Sequence, residues 1–130
     1  MIALDTNVIV RLVTNDDPPQ ARRAASLLES SATYLPKTVV LEVEWVLRSA
    51  YGLSPKVIHE TFTKLLAVTG VRVEEPEVVS RALRLYAEGM DFADALHLCS
   101  SEVASSFATF DARLVKSARR LLPQRPVRIP

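Results

Sequence analysis

Met1-Ile2-Ala3-Leu4-Asp5-Thr6-Asn7 opens the chain with a short apolar run that ends in an acid and then offers a turn or helix start. A non-alternating run of this length reads as a strand buried on both faces, and Thr6-Asn7 leads into the apolar helical stretch Val8–Val13. The same grammar recurs along the chain. Residues 33–35, 71–73 and 107–109 are short strand candidates, and Val127-Arg128-Ile129 is a candidate edge strand. Between them lie helices with their own punctuation. Pro18 and Pro19 open one that runs to about Ser30, and Thr38 caps a longer one to about Tyr51, stopped at Gly52. Ser54-Pro55 starts a third, with Val57, Ile58, Phe62, Leu65 and Leu66 at helical spacing before Gly70. Pro76 begins a fourth that closes near Gly89, Asp91 heads a fifth to about Ser101, and residues 112–122 form the last. Short apolar strands alternating with helices predict an α/β fold: one central parallel sheet of four to five strands, helices on both faces, residues 1–5 in a middle strand.

A chain of 130 residues suits one domain with a real core. Hydrophobic residues make up 48% and charged residues 24%, which excludes a disordered chain. No apolar stretch approaches the roughly 20 residues of a membrane span, and no basic segment followed by an apolar one marks a leader. A cytoplasmic protein without a membrane partner is the expectation. Cys99 is the single cysteine, so an internal disulfide and a multi-cysteine zinc site are both excluded. It lies on the apolar side of its helix and reads as a small buried hydrophobe. The net charge of +1 hides an asymmetry: residues 1–102 carry −4 and residues 103–130 carry +5. A basic C-terminal quarter suits RNA phosphate or an acidic partner segment; the plainer alternative is a solvated helix face.

Asp5, Glu42, Asp94 and Asp111 each stand beside an apolar run, where carboxylates are rare unless a cation or hydrogen bonds compensate them. Asp5 and Asp111 end strands. In open α/β sheets the C-terminal strand edge is where ligands bind. Glu42 lies next to Val39, Val43 and Val46 on its helix and so reads as on or beside the buried stripe. Simple capping explains Asp5, Asp91 and Asp111 equally well, with Asp91 and Asp94 matching a capping box. Capping and metal binding are compatible, because a helix start is already a positive field. Gathered together, the four acids would form a hard-metal site for Mg²⁺ or Mn²⁺, ions that take oxygen ligands and complete their shell with water and substrate phosphate. Such crowding would raise some of the carboxylate pKa values. The pattern points to metal-dependent hydrolysis of phosphodiesters.

Other chemistries find little support. His97 and His59 make no zinc motif, and His97 reads as structural. Three scattered glycines form no phosphate-binding loop, and no Gly-x-Ser-x-Gly elbow is present. Asp5-Thr6-Asn7 lacks the second acid of phosphoaspartyl hydrolases, and no adjacent acid pair precedes the first strand as in receiver domains.

Leu4-Asp5-Thr6-Asn7, the helix from Thr38 to Leu47 with Glu42 and Trp45, Asp91-Phe92-Ala93-Asp94-Ala95-Leu96, and Ala108-Thr109-Phe110-Asp111 together resemble the PIN-domain ribonucleases. The likeness extends in particular to the VapC type of toxin from type II toxin–antitoxin pairs, and it covers essentially the whole chain in order. It implies a single three-layer PIN-like nuclease domain over residues 1–130, with Asp5, Glu42, Asp94 and Asp111 as catalytic metal ligands for Mg²⁺ or Mn²⁺. Thr6 or Asn7 would order the first acid or a water, Thr109 would hydrogen-bond nearby, and Asp91 would be a helix cap. The family cleaves single-stranded or loop RNA to 5′-phosphate and 3′-hydroxyl ends and is silenced by a cognate antitoxin. Glu44 departs from the pattern; two residues from Glu42 on the helix, it is expected to face solvent or a subunit interface. Trp45, Leu47, Tyr51 and the apolar positions of residues 55–66 suggest a homodimer interface. A housekeeping PIN nuclease and a catalytically inactive PIN binding module are the competing readings.

Overall fold

A computed structural model describes residues 1–130, which fall into two compact units, Met1–Pro76 and Glu77–Pro130. The first begins with β1 (Ile2–Ala3), α1 (Thr6–Thr14), α2 (Pro18–Ser30) and β2 (Thr33–Leu35), then continues with α3 (Lys37–Ser49), α4 (Pro55–Leu66) and β3 (Val71–Val73). Its three strands are all parallel in the order β1-β2-β3, with Ile2 opposite Thr33 and Thr33 opposite Val71. Each crossover carries two helices, as parallel neighbours require. Val73 and Leu35 from the strands are buried, as are Ile9, Val10, Leu28, Val43, Leu47, Ile58 and Phe62 from the helices.

The local chemistry places these elements where the sequence predicts them, with one exchange. Pro18 and Pro19 sit in the first turn of α2, behind an Asp17 carboxylate that accepts from the Gln20 N–H. Ser54 caps α4 by accepting from the Val57 N–H. Thr38, expected to cap α3, is instead an exposed residue inside it. Pro36 holds the cap position and has no side-chain donor or acceptor to offer. The work passes to Glu74, just beyond β3, whose Oε2 accepts from the Lys37 N–H at 2.9 Å. Gly70 turns the chain into β3 at φ +88°, a conformation side-chained residues rarely adopt.

The second unit holds nearly all of α5 (Pro76–Ala87), then α6 (Phe92–Cys99), β4 (Phe107–Ala108), α7 (Ala112–Leu121) and β5 (Val127–Arg128). Val79, Leu83, Tyr86, Phe92, Leu96, Leu98, Leu114 and Val115 are buried, with Tyr86 and Phe92 meeting edge to face at 5.3 Å. Cys99 is buried, and burial pushes its thiol pKa up. The tail is fastened by Arg125, whose guanidinium donates to the Ser101 carbonyl at 2.8 Å.

The strands are parallel as expected, but they form two small sheets of three and two strands in place of one central sheet. β1 is accordingly an edge strand, paired with β2 alone, and Ile2 is exposed. The reason lies in strand length. At two or three residues each, the ladders are short, and β4 takes its partner from the tail: Phe107 and Thr109 donate to the carbonyls of Pro126 and Arg128.

Candidate functional site

Asp5 stands one residue beyond Leu4, which follows β1, and caps the start of α1, where its Oδ1 accepts from the Thr6 N–H at 2.8 Å. Its second carboxylate oxygen makes no hydrogen bond within the chain. Asp5 and Glu42 line the same cleft, of about 350 Å³, together with Thr6, Asn7, Arg11, Val46 and Tyr51. Glu42 is exposed, so the expectation that it adjoins the buried stripe of α3 is corrected. The buried acid is Glu44, expected to face outward, at 2% exposure. It is compensated by Arg48 one turn on, whose Nε donates to Oε2 at 2.9 Å. The helix thus divides its acids: Glu44 serves structure, while Glu42 is left for the cleft.

In the second unit Asp91 caps α6, with Oδ2 accepting from the Asp94 N–H at 3.1 Å. Asp94 is half-buried, and its pKa is raised, first by burial and then by the charges of Asp91 and Asp111. Asp111 caps α7, accepting from the N–H groups of Arg113 and Leu114 at 2.9 and 3.3 Å. Its own N–H donates to Thr109 Oγ1 at 3.0 Å, so Thr109 is tied to this acid as expected. His97 is exposed; its charge opposes the rise at Asp94.

Each unit therefore presents an acidic pair with hard oxygen donors. No group of three or more His, Cys, Asp or Glu side chains is gathered tightly enough to hold an ion by itself. Asp5 and Asp111 each spend one oxygen on a helix start, which fixes them locally. A magnesium-type ion needs no closed cage, only one or two carboxylates with water and phosphate completing the shell. One further observation fits such a ligand. Thr6, 7% exposed, lines the Asp5–Glu42 cleft, and its buried hydroxyl has no hydrogen-bond partner. Buried hydroxyls are rarely left so.

Against known protein families, residues 2–120 match the PIN domain. The chain belongs to the PIN-domain family. No curated protein matches it. The match spans most of each unit, and PIN domains belong to a nuclease superfamily of α/β folds with parallel strands. No helix of this PIN domain is long and apolar enough to cross a membrane.

Arg11 and Tyr51 also line the acid cleft; from the sequence Arg11 was not singled out, and Tyr51 was expected at a dimer interface. The usable signal was helical spacing. Asn7 and Arg11 lie four apart on α1, and Glu42 and Val46 four apart on α3, so each pair shares a face with an acid-cleft residue.

Proposed function

We propose that this PIN domain is a Mg²⁺- or Mn²⁺-dependent endoribonuclease, a toxin of the VapC type that a cognate antitoxin silences in the cytoplasm. The observation that carries the reading is the pairing of Asp5 and Glu42 around one cleft, which Thr6, with its buried and unpartnered hydroxyl, also lines. Residues 1–130 are read as one domain of the three-layer PIN-like kind, with Asp5, Glu42, Asp94 and Asp111 proposed as its catalytic, metal-binding acids. A Mg²⁺ or Mn²⁺ ion held by these acids would supply polarisation of the phosphodiester and a lowered pKa for water.

The chain's own residues do the rest. Asp5, anchored by the Thr6 N–H, keeps one oxygen free to hold the cation, and Glu42 supplies the second charge from α3. The Thr6 hydroxyl orients a water, and Asn7, exposed at the cleft wall, binds phosphate or ribose. Asp94, its pKa raised by burial and by the charges of Asp91 and Asp111, is an acid whose charge a bound cation would compensate. Thr109 steadies Asp111 through its backbone N–H. The basic residues Arg113, Lys116, Arg119 and Arg120 of α7 are all exposed and attract RNA or the acidic part of an antitoxin.

The test is cleavage of total cellular RNA by the purified protein with Mg²⁺ or with EDTA, followed by mapping of the ends. A toxin also arrests growth unless its antitoxin is co-expressed; cleavage without growth arrest points to a housekeeping nuclease. Tight RNA binding with no metal-dependent cleavage identifies an inactive binding module.

A further inference from the structure

Three clefts in the unit Met1–Pro76 run into one another along α1 and α2. The acid cleft shares Asn7 and Arg11 with a second of about 590 Å³, where Gln20, Arg23 and Leu27 join the wall. That one shares Arg23 and Leu27 with a third of about 620 Å³, which Arg22 also lines. No Asp or Glu lines the second or third cleft, whereas three arginines do. Asp5 and Glu42 line one end of the track, Arg11 stands at the junction paired with Asp16, and Arg22 and Arg23 line the rest.

Arg11, at the junction, is held in place. Its Nε donates to Gln20 Oε1 at 2.9 Å and its Nη1 to both oxygens of Asp16, at 2.9 and 2.8 Å, while the Tyr51 hydroxyl donates to the same carboxylate. Its Nη2 makes no hydrogen bond within the chain. A guanidinium fixed on two nitrogens and open on the third is pre-organised for an anion. Arg22 and Arg23 are exposed and enter no ion pair.

We propose that this α1–α2 track binds the single-stranded RNA flanking the scissile bond, with Arg11, Arg22 and Arg23 on successive phosphates and Asn7 and Gln20 on sugar or base edges. The proposal rests on the nuclease reading for the identity of its ligand. A lining of cations without acids favours a polyanion with a charge at every step, and Leu27 gives bases an apolar surface.

Binding is read by fluorescence anisotropy on the full chain in EDTA, with an end-labelled single-stranded RNA of mixed sequence, across a salt series. Arg22→Gln/Arg23→Gln should weaken binding about 10-fold and flatten the log–log salt dependence by about 1.4, at about 0.7 per lost phosphate contact. Lys56→Gln/Lys64→Gln on α4 removes the same charge from an exposed face off the track and should change neither. Circular dichroism confirms that both variants fold. If the two pairs behave alike, the track is overturned. It is equally overturned if the arginine pair loses affinity for a glutamate-rich peptide but not for RNA, since the groove then serves an acidic protein segment. Loss of RNA affinity without any Mg²⁺-dependent cleavage by the native protein upholds the track and removes the nuclease reading. Cleavage with unchanged RNA affinity in the arginine pair does the reverse.

Discussion

Asp91 and Asp94 stand three residues apart in one motif and do different things. Asp91 satisfies the Asp94 N–H, whereas Asp94 is half-buried between like charges with its pKa raised. Asp91→Asn should be nearly silent in cleavage assays, because asparagine caps a helix about as well. Asp94→Asn should abolish most activity, and its effect on metal-free stability has a definite sign. A carboxylate whose pKa is raised on folding favours the folded state below its ordinary range and loses that contribution as pH rises through the raised value. In EDTA, Asp94→Asn should therefore melt at or above the native protein at pH 7, with the margin vanishing toward pH 3. A margin that grows on acidification would contradict the burial and repulsion assigned to Asp94. Asp91, Asp94 and Asp111 were all legible in the sequence as helix-start acids, and the apolar run around Asp94 marked it as the one set toward the core, because that signal is local.

At the level of elements, nearly every helix and strand was readable from proline, glycine and apolar spacing, because each of those signals is local. Pro18-Pro19, Ser54-Pro55 and Gly70 mark their boundaries without help from the rest of the chain. The start of α3 was misread for the opposite reason. Its cap comes from Glu74, 37 residues away, and no local pattern announces that. Glu74→Ala should cost about 1 kcal/mol in urea unfolding, while Thr38→Ala should be within a few tenths of the native value. Equal costs would return the cap to Thr38. Glu42 and Glu44 were exchanged in burial for a related reason. Helical spacing puts them on different faces, but only the tertiary fold decides which face turns inward. Arg48→Ala, which strips Glu44 of its charge-assisted hydrogen bond, should destabilise by about 1.5–3 kcal/mol.

For the whole molecule, the parallel α/β character was legible, and the division of strands into sheets of three and two was not, since pairing is non-local. Leu47, expected at a dimer interface, is fully buried in the core, and Tyr51 is engaged with Asp16. Trp45 and Val57, at 58% and 43% exposure, remain on α3 and α4 as the apolar residues of a proposed two-fold interface. Light scattering at high micromolar concentration should report a dimer that Trp45→Lys converts to monomer; a monomeric native protein would dismiss the interface. The central claim is that Asp5 and Glu42 make a metal-dependent RNA-cleaving site, and one measurement reaches it most directly. Purified native protein and Asp5→Asn are incubated with total RNA in Mg²⁺ or EDTA, and the cleavage ends are mapped. Discrete cuts with 5′-phosphates are expected in Mg²⁺, none in EDTA, and a loss of at least about 100-fold in the variant. Undiminished cleavage by Asp5→Asn, or cuts that persist in EDTA, would contradict that claim.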